Sequence, residues 1–493
     1  MKIELHNVGP IEYFEFDTEK DLNLIYGKNS VGKSYAIYCV YNLLKNLYEP
    51  INVLGIRIGW KKSISILDGF YSKFFDRELI IKLKQEIDNS EKKVDVKEII
   101  LTTIKNIFQE YFIYNINQSF GNTFSSIKNL NNQFSKKDFL ITIQIGFITL
   151  EISINNEKEI LQISNVFVED SFEILYKNEE LYHYQVLVND TITRDFSIHK
   201  DSVSAEDVFI DEIEIFFQNY LFKKLKEMDI NIEKIYLLPS SRSGLYQALN
   251  SFSPIIAELA KSRFQLKSKK IELPSLSEPI ADYFIKLSTL DSTQKSTKLE
   301  EIAQKIEDKI LKGSISIDED KKINFNPNNT NLSLDLSESS SMVAEIAPLV
   351  TYLRYIVNMS ANTFTFFGRK ESTGDTKILF IEEPEAHLHP EVQIQLMEIF
   401  VELTKLNVKV VITSHSNYMF QQLDNMILEG KIAPEKVASY HLVMGKNGSK
   451  DAGDMKATSE GMEDNNFVEI SEKLYEKKME IFDKLNADII NTD

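Results

Sequence analysis

Short alternating runs open the chain. Lys2 to Leu5 and Tyr13 to Phe16 alternate apolar with polar, and Leu22-Asn-Leu-Ile-Tyr26 is a mostly apolar run ending in a glycine turn, so two or three strands are expected over residues 1–26. A helix is predicted from Gly32 through Tyr35-Ala-Ile-Tyr-Cys-Val40 towards Leu47. Residues 51–137 read as mainly helical, with weak periodicity. From Phe139 to Ile154 the chain turns β-branched and alternating, and later strands near 161–168 and 182–197 extend this into an expected antiparallel meander. An amphipathic helix is predicted over Glu206 to Met228, then a short strand from Lys234 to Pro239.

The second half begins with charged helical sequence over 245–312. Pro274 and Pro279 interrupt it, so one continuous coiled coil is not expected. A hairpin follows, Ser314 to Ile317 and Ile323 to Phe325 around an Asp-Glu-Asp-Lys turn. Val343, Ile346, Ala347, Val350, Leu353 and Val357 then share one face of a helix over 342–358, with Pro348 inside the pattern as a potential kink. The remainder alternates: strand Ile378 to Ile381, helix 391–406, strand Val408 to Thr413, helix 416–428, strand Ala438 to Val443, helix 467–486. That alternation predicts α/β architecture with a parallel sheet. No internal repeat or low-complexity segment is visible.

Length changes this picture. A single core rarely grows past ~250–300 residues, so 493 residues imply at least two packing units. With 43% hydrophobic and 26% charged residues the composition is that of a globular protein, and no apolar run approaches the ~20 residues that span a bilayer. The start lacks the basic head and apolar middle of a signal peptide. Cys39 is the only cysteine, which excludes a disulfide framework and a cysteine metal site. A cytoplasmic protein with no membrane partner is expected. The net charge of −18 argues against a nucleic-acid coat protein but leaves room for a local basic groove.

Three stretches carry chemistry. Gly27-Lys28-Asn29-Ser30-Val31-Gly32-Lys33-Ser34 fits G-x-x-x-x-G-K-[ST] between a predicted strand and a predicted helix. Glycines let backbone N–H groups curl around a phosphate, the helix N-terminus adds positive potential, Lys33 reaches the β/γ-phosphates and the Ser34 hydroxyl ligates Mg²⁺. Lys377-Ile-Leu-Phe-Ile381 is a buried parallel strand with Glu382, Glu383 and Glu385 emerging at its C-terminal end, where open α/β sheets bind ligands. One acid there can hold Mg²⁺ and the next can polarise an attacking water; the plainer alternative is an acidic turn after a core strand. Val408 to Thr413 is again a buried strand, ending in Ser414-His415-Ser416, and such a histidine either positions the water or is structural.

Taken together, the 27–34 motif, Ile381-Glu-Glu-Pro-Glu-Ala-His-Leu-His-Pro390 and Ile412-Thr-Ser-His-Ser416 resemble ABC-type ATPases of the SMC/RecF/Rad50 superfamily, and most nearly the OLD-like branch with its bacterial antiphage proteins. The resemblance is good over about 1–50 and 330–445 and holds only in outline between. It implies an ABC ATPase head, a P-loop NTPase, with a mixed sheet, an antiparallel β subdomain and a helical insertion. The implied segments are an N-terminal lobe with Walker A (1–50), an insertion (51–230), a helical arm with the hairpin (231–330) and a C-terminal lobe (331–493). It implies ATP and Mg²⁺ as cofactors, with residues 27–34 and Tyr35 on the nucleotide, Ser34 and Glu382 on the metal, Glu383 as catalytic base and His415 as switch histidine. Ala386 to Pro390 would be the D-loop. Leu336-Ser-Glu-Ser-Ser-Ser-Met342 stands where the signature belongs but lacks both glycines of LSGGQ, leaving Ser339 and Ser340 as favoured contacts to a γ-phosphate. A glutamate in the first Walker B position suggests slow, regulatory hydrolysis.

In this family the signature of one subunit closes over the ATP of another, so a homodimer or higher oligomer is implied. With 78 residues after His415, a built-in TOPRIM nuclease is not expected. The expected role is control of a separately encoded effector, such as a nuclease, in antiviral defence, as in the Septu and PARIS systems, with DNA or a phage protein as trigger. A RecF-like DNA-repair clamp is the alternative. A Rad50-like arm is disfavoured by the broken helices, and a transporter ATPase by the degenerate signature and the long insertion. Glu383, Glu385, His387 and His389 also read as a metal-hydrolase cluster. Arg242, in Leu238-Pro-Ser-Ser-Arg-Ser-Gly244, is either near phosphate or a partner subunit, or a loop arginine. Lys261 to Lys270, the most basic stretch, either touches a nucleic-acid backbone or is a solvated helix face.

Overall fold

The computed structural model describes residues 1–59, 74–90, 93–178, 180–200, 204–227, 232–249, 276–290, 297–357, 376–463 and 472–482. Lys261 to Lys270 lies outside them. The chain divides into two compact units, Met1–Thr18 with Tyr38–Glu233, and Glu19–Ile37 with Lys234–Asp493. These units do not follow the four segments expected from sequence. The Leu22–Tyr26 strand and the first helical turn after it group with the C-terminal residues.

In the first unit Lys2–Val8 pairs antiparallel with both Ile11–Asp17 and Leu140–Ile145, and Ile148–Asn155 and Ile160–Val168 extend that sheet. The alternation read from sequence is a burial alternation: Ile3 and Leu5 are buried and Lys2 is exposed. The expected single meander over 138–200 splits. Phe172–Asn178, Tyr182–Val188 and Thr191–Ile198 form a separate antiparallel sheet with Val94–Asp95. The break falls at Asp170, a buried acid that accepts hydrogen bonds from Tyr220 Oη and Asn189 Nδ2 and pairs with Lys224, each at 2.7 Å. Satisfying that carboxylate turns the chain away before a further hairpin can form. Helices Arg77–Asp88, Lys97–Phe108, Tyr114–Phe124 and Ala205–Glu227 fill the stretches predicted to be helical; Lys97–Phe108 packs on Ile160–Val168, and Ala205–Glu227 on Thr191–Ile198.

The second unit is built on a sheet in the order Ile232–Leu238, Thr376–Glu382, Val408–Thr413, Leu22–Tyr26, Val437–Gly445, Gly448–Asp451. The pairings from Thr376–Glu382 to Val437–Gly445 are parallel, and Gly448–Asp451 returns antiparallel on Val437–Gly445. Leu22–Tyr26 is buried at all five positions, which is why it reads as a continuous apolar run and not as an alternation. Helices Pro390–Thr404 and Asn417–Leu428 pack side by side, the first against Val408–Thr413. This is the α/β arrangement expected of the P-loop class. No helix among the described residues is long and apolar enough to cross a membrane.

Beside the sheet stand Glu278–Ser288, Thr297–Ile306, the Gly313–Ile317 and Ile323–Pro327 hairpin, and Ser341–Thr351. The last helix runs through Pro348 and widens into a π turn over Tyr352–Ile356, with Val357 N donating to Tyr352 O at 2.8 Å. Arg354 in that turn is buried. Its guanidinium donates to both carboxylate oxygens of Glu300 and of Glu307 and to Ile315 O, at 2.8–3.1 Å. Glu307 in turn accepts from Ile315 N. One cation thus joins two helices and a strand. Removing it leaves Glu307, 2% exposed, as an unpaired buried anion. Arg354→Met is therefore expected to lower unfolding free energy by about 3–5 kcal/mol in urea titration, far more than any surface substitution.

Candidate functional site

The Leu22–Tyr26 strand feeds directly into the loop at 27–34. Gly27 has φ 144°, and a Cβ there would lie 2.4 Å from Leu442 O, so only glycine fits. Ser30 and Gly32 are also left-handed, at 63° and 88°. Ala36 N donates to Gly32 O at 2.9 Å, which starts the Lys33–Gly59 helix at the end of this curl. Curled N–H groups followed by a helix N-terminus make an anion cradle. Lys28, Asn29, Ser30 and Ser34 are exposed, Tyr35 is half-buried and Val31 is buried. Lys33 is buried, with Nζ donating to Gly27 O at 2.9 Å and Lys28 O at 3.0 Å. Burial pulls its pKa down to about 8, against the opposing pull of the Glu383 and Glu385 charges.

Strand register brings the other two motifs to this loop. Glu382 is level with Thr413, and Thr413 with Ile25. Ser414 N donates to Ile25 O at 3.1 Å, and Glu383 N to Thr413 O at 3.0 Å. Glu382 is buried at the end of its strand. Glu383 leaves the strand with φ 42°, and its Oε1 lies 3.6 Å from His415 Nε2. The histidine ring holds the Glu383 carboxyl below the usual carboxylate range, and the charges of Lys33 and Arg242 add to this against burial. Glu385 behaves oppositely. Its Oε1 accepts from His415 N at 2.5 Å, its Oε2 is closed off without a hydrogen-bond partner, and burial pushes its carboxyl up. Ser416 caps the Asn417–Leu428 helix and donates to Gln393 Oε1 at 2.5 Å, which fixes the residue after His415.

The acids and histidines of the 383–389 turn do not converge as a metal cluster. Glu385 faces His415, His387 is exposed, and His389 caps the Pro390–Thr404 helix, its Nδ1 accepting from Glu391 N at 3.4 Å. Among the described residues no three His, Cys, Asp or Glu side chains are grouped as a metal site. For a hard cation beside phosphate, the Ser34 hydroxyl in the first helical turn and the Glu382 carboxylate at its strand end are oxygen donors of the kind Mg²⁺ takes. In the serine turn, Ser340 is exposed and caps the Ser341–Thr351 helix, its Oγ accepting from Val343 N at 3.4 Å. Ser339 is half-buried and donates to Leu336 O at 2.7 Å.

Two of the readings of Arg242, a contact to a partner subunit and a solvated loop arginine, do not hold. The residue is 2% exposed and committed within its own unit, to Glu345 and to the carbonyls of Pro239, Glu382 and Glu383, so it faces neither solvent nor a partner. Sequence reasoning grouped Glu385 with the histidines of its turn and gave Thr413 no role of its own, and it missed Glu345. One signal was available for the last: Glu345 is a lone acid inside the apolar run Val343 to Val350, which marks a buried charge in need of a partner.

The AAA ATPase domain family matches residues 1–420, a span that takes in the 27–34 loop, both strand-end glutamates and His415. The chain belongs to that family. That match supports the reading of the chain as an ATPase. No curated protein matches the sequence. Among solved structures the chain is similar to an SMC head bound to the C-winged helix domain of ScpA, at 10% identity over 91% of this chain and 95% of that one, with a TM-score of 0.32. It is similar to the SMC head domain from Thermotoga maritima at 8% identity, 91% and 96% coverage and a TM-score of 0.29. A third is an Smc head domain with an extended coiled coil bound to the C-terminal domain of ScpA derived from Pyrococcus furiosus, at 12% identity, 91% and 94% coverage and a TM-score of 0.30. Likeness at these scores carries no weight beside the family match and the site itself.

Two predictions follow from the loop. Gly27→Ala forces a side chain against Leu442 O at a φ only glycine tolerates, and ATP affinity in a fluorescent-analogue titration is expected to fall about tenfold or more. Lys33 is charged below about pH 8 and discharges above it, and bound phosphate favours the charged form. ATP affinity should therefore hold up to about pH 8 and then fall, by at most about tenfold per pH unit, with Lys33→Met weaker throughout and flat over the same range.

Proposed function

We propose that this ATPase domain works as an ABC-type switch, hydrolysing ATP in composite sites shared between two copies of the chain. The observation that carries the reading is the strand-end constellation of Glu383, His415 and Lys33. In it a buried lysine, an ionised carboxylate and an imidazole meet at the mouth of a phosphate-binding loop. The loop N–H groups of 27–34 hold the phosphates, and Lys33 exchanges its carbonyl partners for phosphate oxygens. Tyr35 lies beside the nucleotide. Bound Mg²⁺, held by Ser34 and Glu382, would neutralise phosphate charge. Glu383 orients a water and takes its proton as the water oxygen bonds to the γ-phosphorus and the bond to ADP breaks. His415 steadies both the Glu383 carboxylate and the γ-phosphate oxygens.

The serine turn supplies the other half of a composite site. Ser339 and Ser340 head the Ser341–Thr351 helix, whose first N–H groups and positive end suit the γ-phosphate held by a second copy. Ala386 to Pro390, with exposed His387 and His389, is the segment expected at that junction. ATP would close such a dimer and hydrolysis release it, because the nucleotide binds the closed form better. The resemblance to OLD-like ATPases supports a slow, regulatory cycle that controls a separate effector, a nuclease or toxin, in antiviral defence. The RecF-like alternative rests on the basic sequence Lys261 to Lys270, which lies outside the described residues.

Glu383→Gln tests this directly. Hydrolysis is expected to fall by about 10²–10⁴-fold while ATP still binds. Light scattering should then show the variant held at twice the monomer mass or more with ATP and Mg²⁺, and a neighbouring-gene product co-expressed with it should co-purify. An ATP-independent mass, or hydrolysis at the wild-type rate, sinks the composite-site reading.

A further inference from the structure

Arg242 opens the helix over 242–249, just after the Ile232–Leu238 strand. Its Nη1 donates to Glu382 O at 2.9 Å and to Pro239 O at 3.0 Å, its Nη2 to Glu383 O at 3.4 Å and its Nε to Glu345 O at 3.0 Å. Glu345 answers with its carboxylate. Oε2 accepts from Arg242 N at 3.2 Å and lies 3.1 Å from Nε, and Oε1 accepts from Ser243 N at 3.2 Å. The two side chains are 3% and 0% exposed.

A buried ion pair is a poor way to gain stability, because apolar residues of the same volume do as well. What this pair supplies is direction. Glu383 stands at φ 42°, a backbone value that a long side chain holds only when its surroundings enforce it. Thr413 O fixes the Glu383 N–H, while the planar fork of Arg242 fixes the carbonyls on both sides of the Glu383 Cα. With those peptide planes set, the Cα–Cβ bond has one direction left, and it sends the carboxylate to the His415 ring. Lysine keeps the charge but cannot present a planar fork. Glu345 lies five residues after Ser340 on the helix that the serine turn begins, so the same pair also ties that helix to the catalytic strand end.

We infer that Arg242, anchored by Glu345, is a positioning residue for the Glu383 carboxylate, acting through the backbone of Glu382 and Glu383 and touching neither nucleotide nor water. This rests on the reading of Glu383 as the group that handles the attacking water.

The test is a double-mutant cycle on the full chain, with kcat and ATP affinity measured separately. Arg242→Lys is expected to bind ATP within about twofold of wild type and to hydrolyse it at least about tenfold more slowly. In a Glu383→Gln background, where nothing remains to be positioned, Arg242→Lys should change kcat by less than about twofold. Wild-type kcat in Arg242→Lys overturns the inference, and so does a further tenfold loss in the Glu383→Gln background. Should Arg242→Lys fail to fold, Glu345→Gln takes its place in the cycle. It keeps the guanidinium and its carbonyl partners but removes the anchoring charge, and the same non-additive loss is expected. If Glu383→Gln hydrolyses like wild type, the reading of Glu383 fails; a slow Arg242→Lys beside it then shows Arg242 acting elsewhere, and the inference falls with it.

Discussion

The nucleotide site depends on the lateral pairing of three parallel strands. Leu22–Tyr26, Val408–Thr413 and Thr376–Glu382 are hydrogen-bonded in register, so Ile25, Thr413 and Glu382 lie level across the sheet. The next residues of each strand are the phosphate loop, the histidine turn and Glu383, the proposed catalytic acid. None of these needs a long lever to reach the others, because the sheet has already aligned their backbones. The cross-links beyond the ladder are backbone bonds as well: Ser414 N to Ile25 O, Glu383 N to Thr413 O. A slip of one residue in either pairing would turn every side chain of that strand to the other face and take the carboxylate or the imidazole with it.

Backbone strain collects at this edge. Gly27, Ser30, Gly32, Glu383 and His387 all have positive φ within the three motifs. Two of them are glycines, which adopt such values at no steric cost, but Ser30, Glu383 and His387 do not. Strain of this kind persists only where neighbours over-determine it. At Glu383 the neighbours are identifiable: Thr413 on the N–H, Arg242 on the flanking carbonyls, His415 on the carboxylate. The sheet sets where Glu383 begins, and the clamp around it sets where it points.

This division explains what could be read from the sequence. The loop at 27–34 was legible because its chemistry is local: glycines, a lysine and a serine at fixed spacing between a strand and a helix. The acids after Ile381 and the histidine after Thr413 were legible because apolar runs announce buried strands whose ends carry ligands. The Arg242–Glu345 pair was not, because its partners are about a hundred residues apart and nothing in Leu238 to Gly244 says that the arginine turns inward. Glu385 was grouped with the histidines by its i, i+2 spacing, yet its partner is the backbone of His415, 30 residues on. The meander over 138–200 was legible as strands but not as two sheets, since the break depends on Asp170 finding Tyr220, Asn189 and Lys224. In each case the motif lay in contiguous sequence, and the missing part was a buried polar group satisfied from far along the chain.

The two acids of the strand-end turn show why that missing part decides the chemistry. Glu383 and Glu385 are two residues apart, and composition alone would give them equal roles. Their surroundings separate them. The His415 ring holds the Glu383 carboxyl down, whereas burial pushes Glu385 up. An ionised Glu383 beside Lys33 is fit to orient water and take its proton. Glu385 spends its Oε1 on the His415 backbone. When environment drives two neighbouring carboxyls apart in this way, it assigns one to the reacting atoms and the other to holding the frame. That contrast supports the proposed division, with Glu385 as a strut of the histidine turn and the chemistry at Glu383.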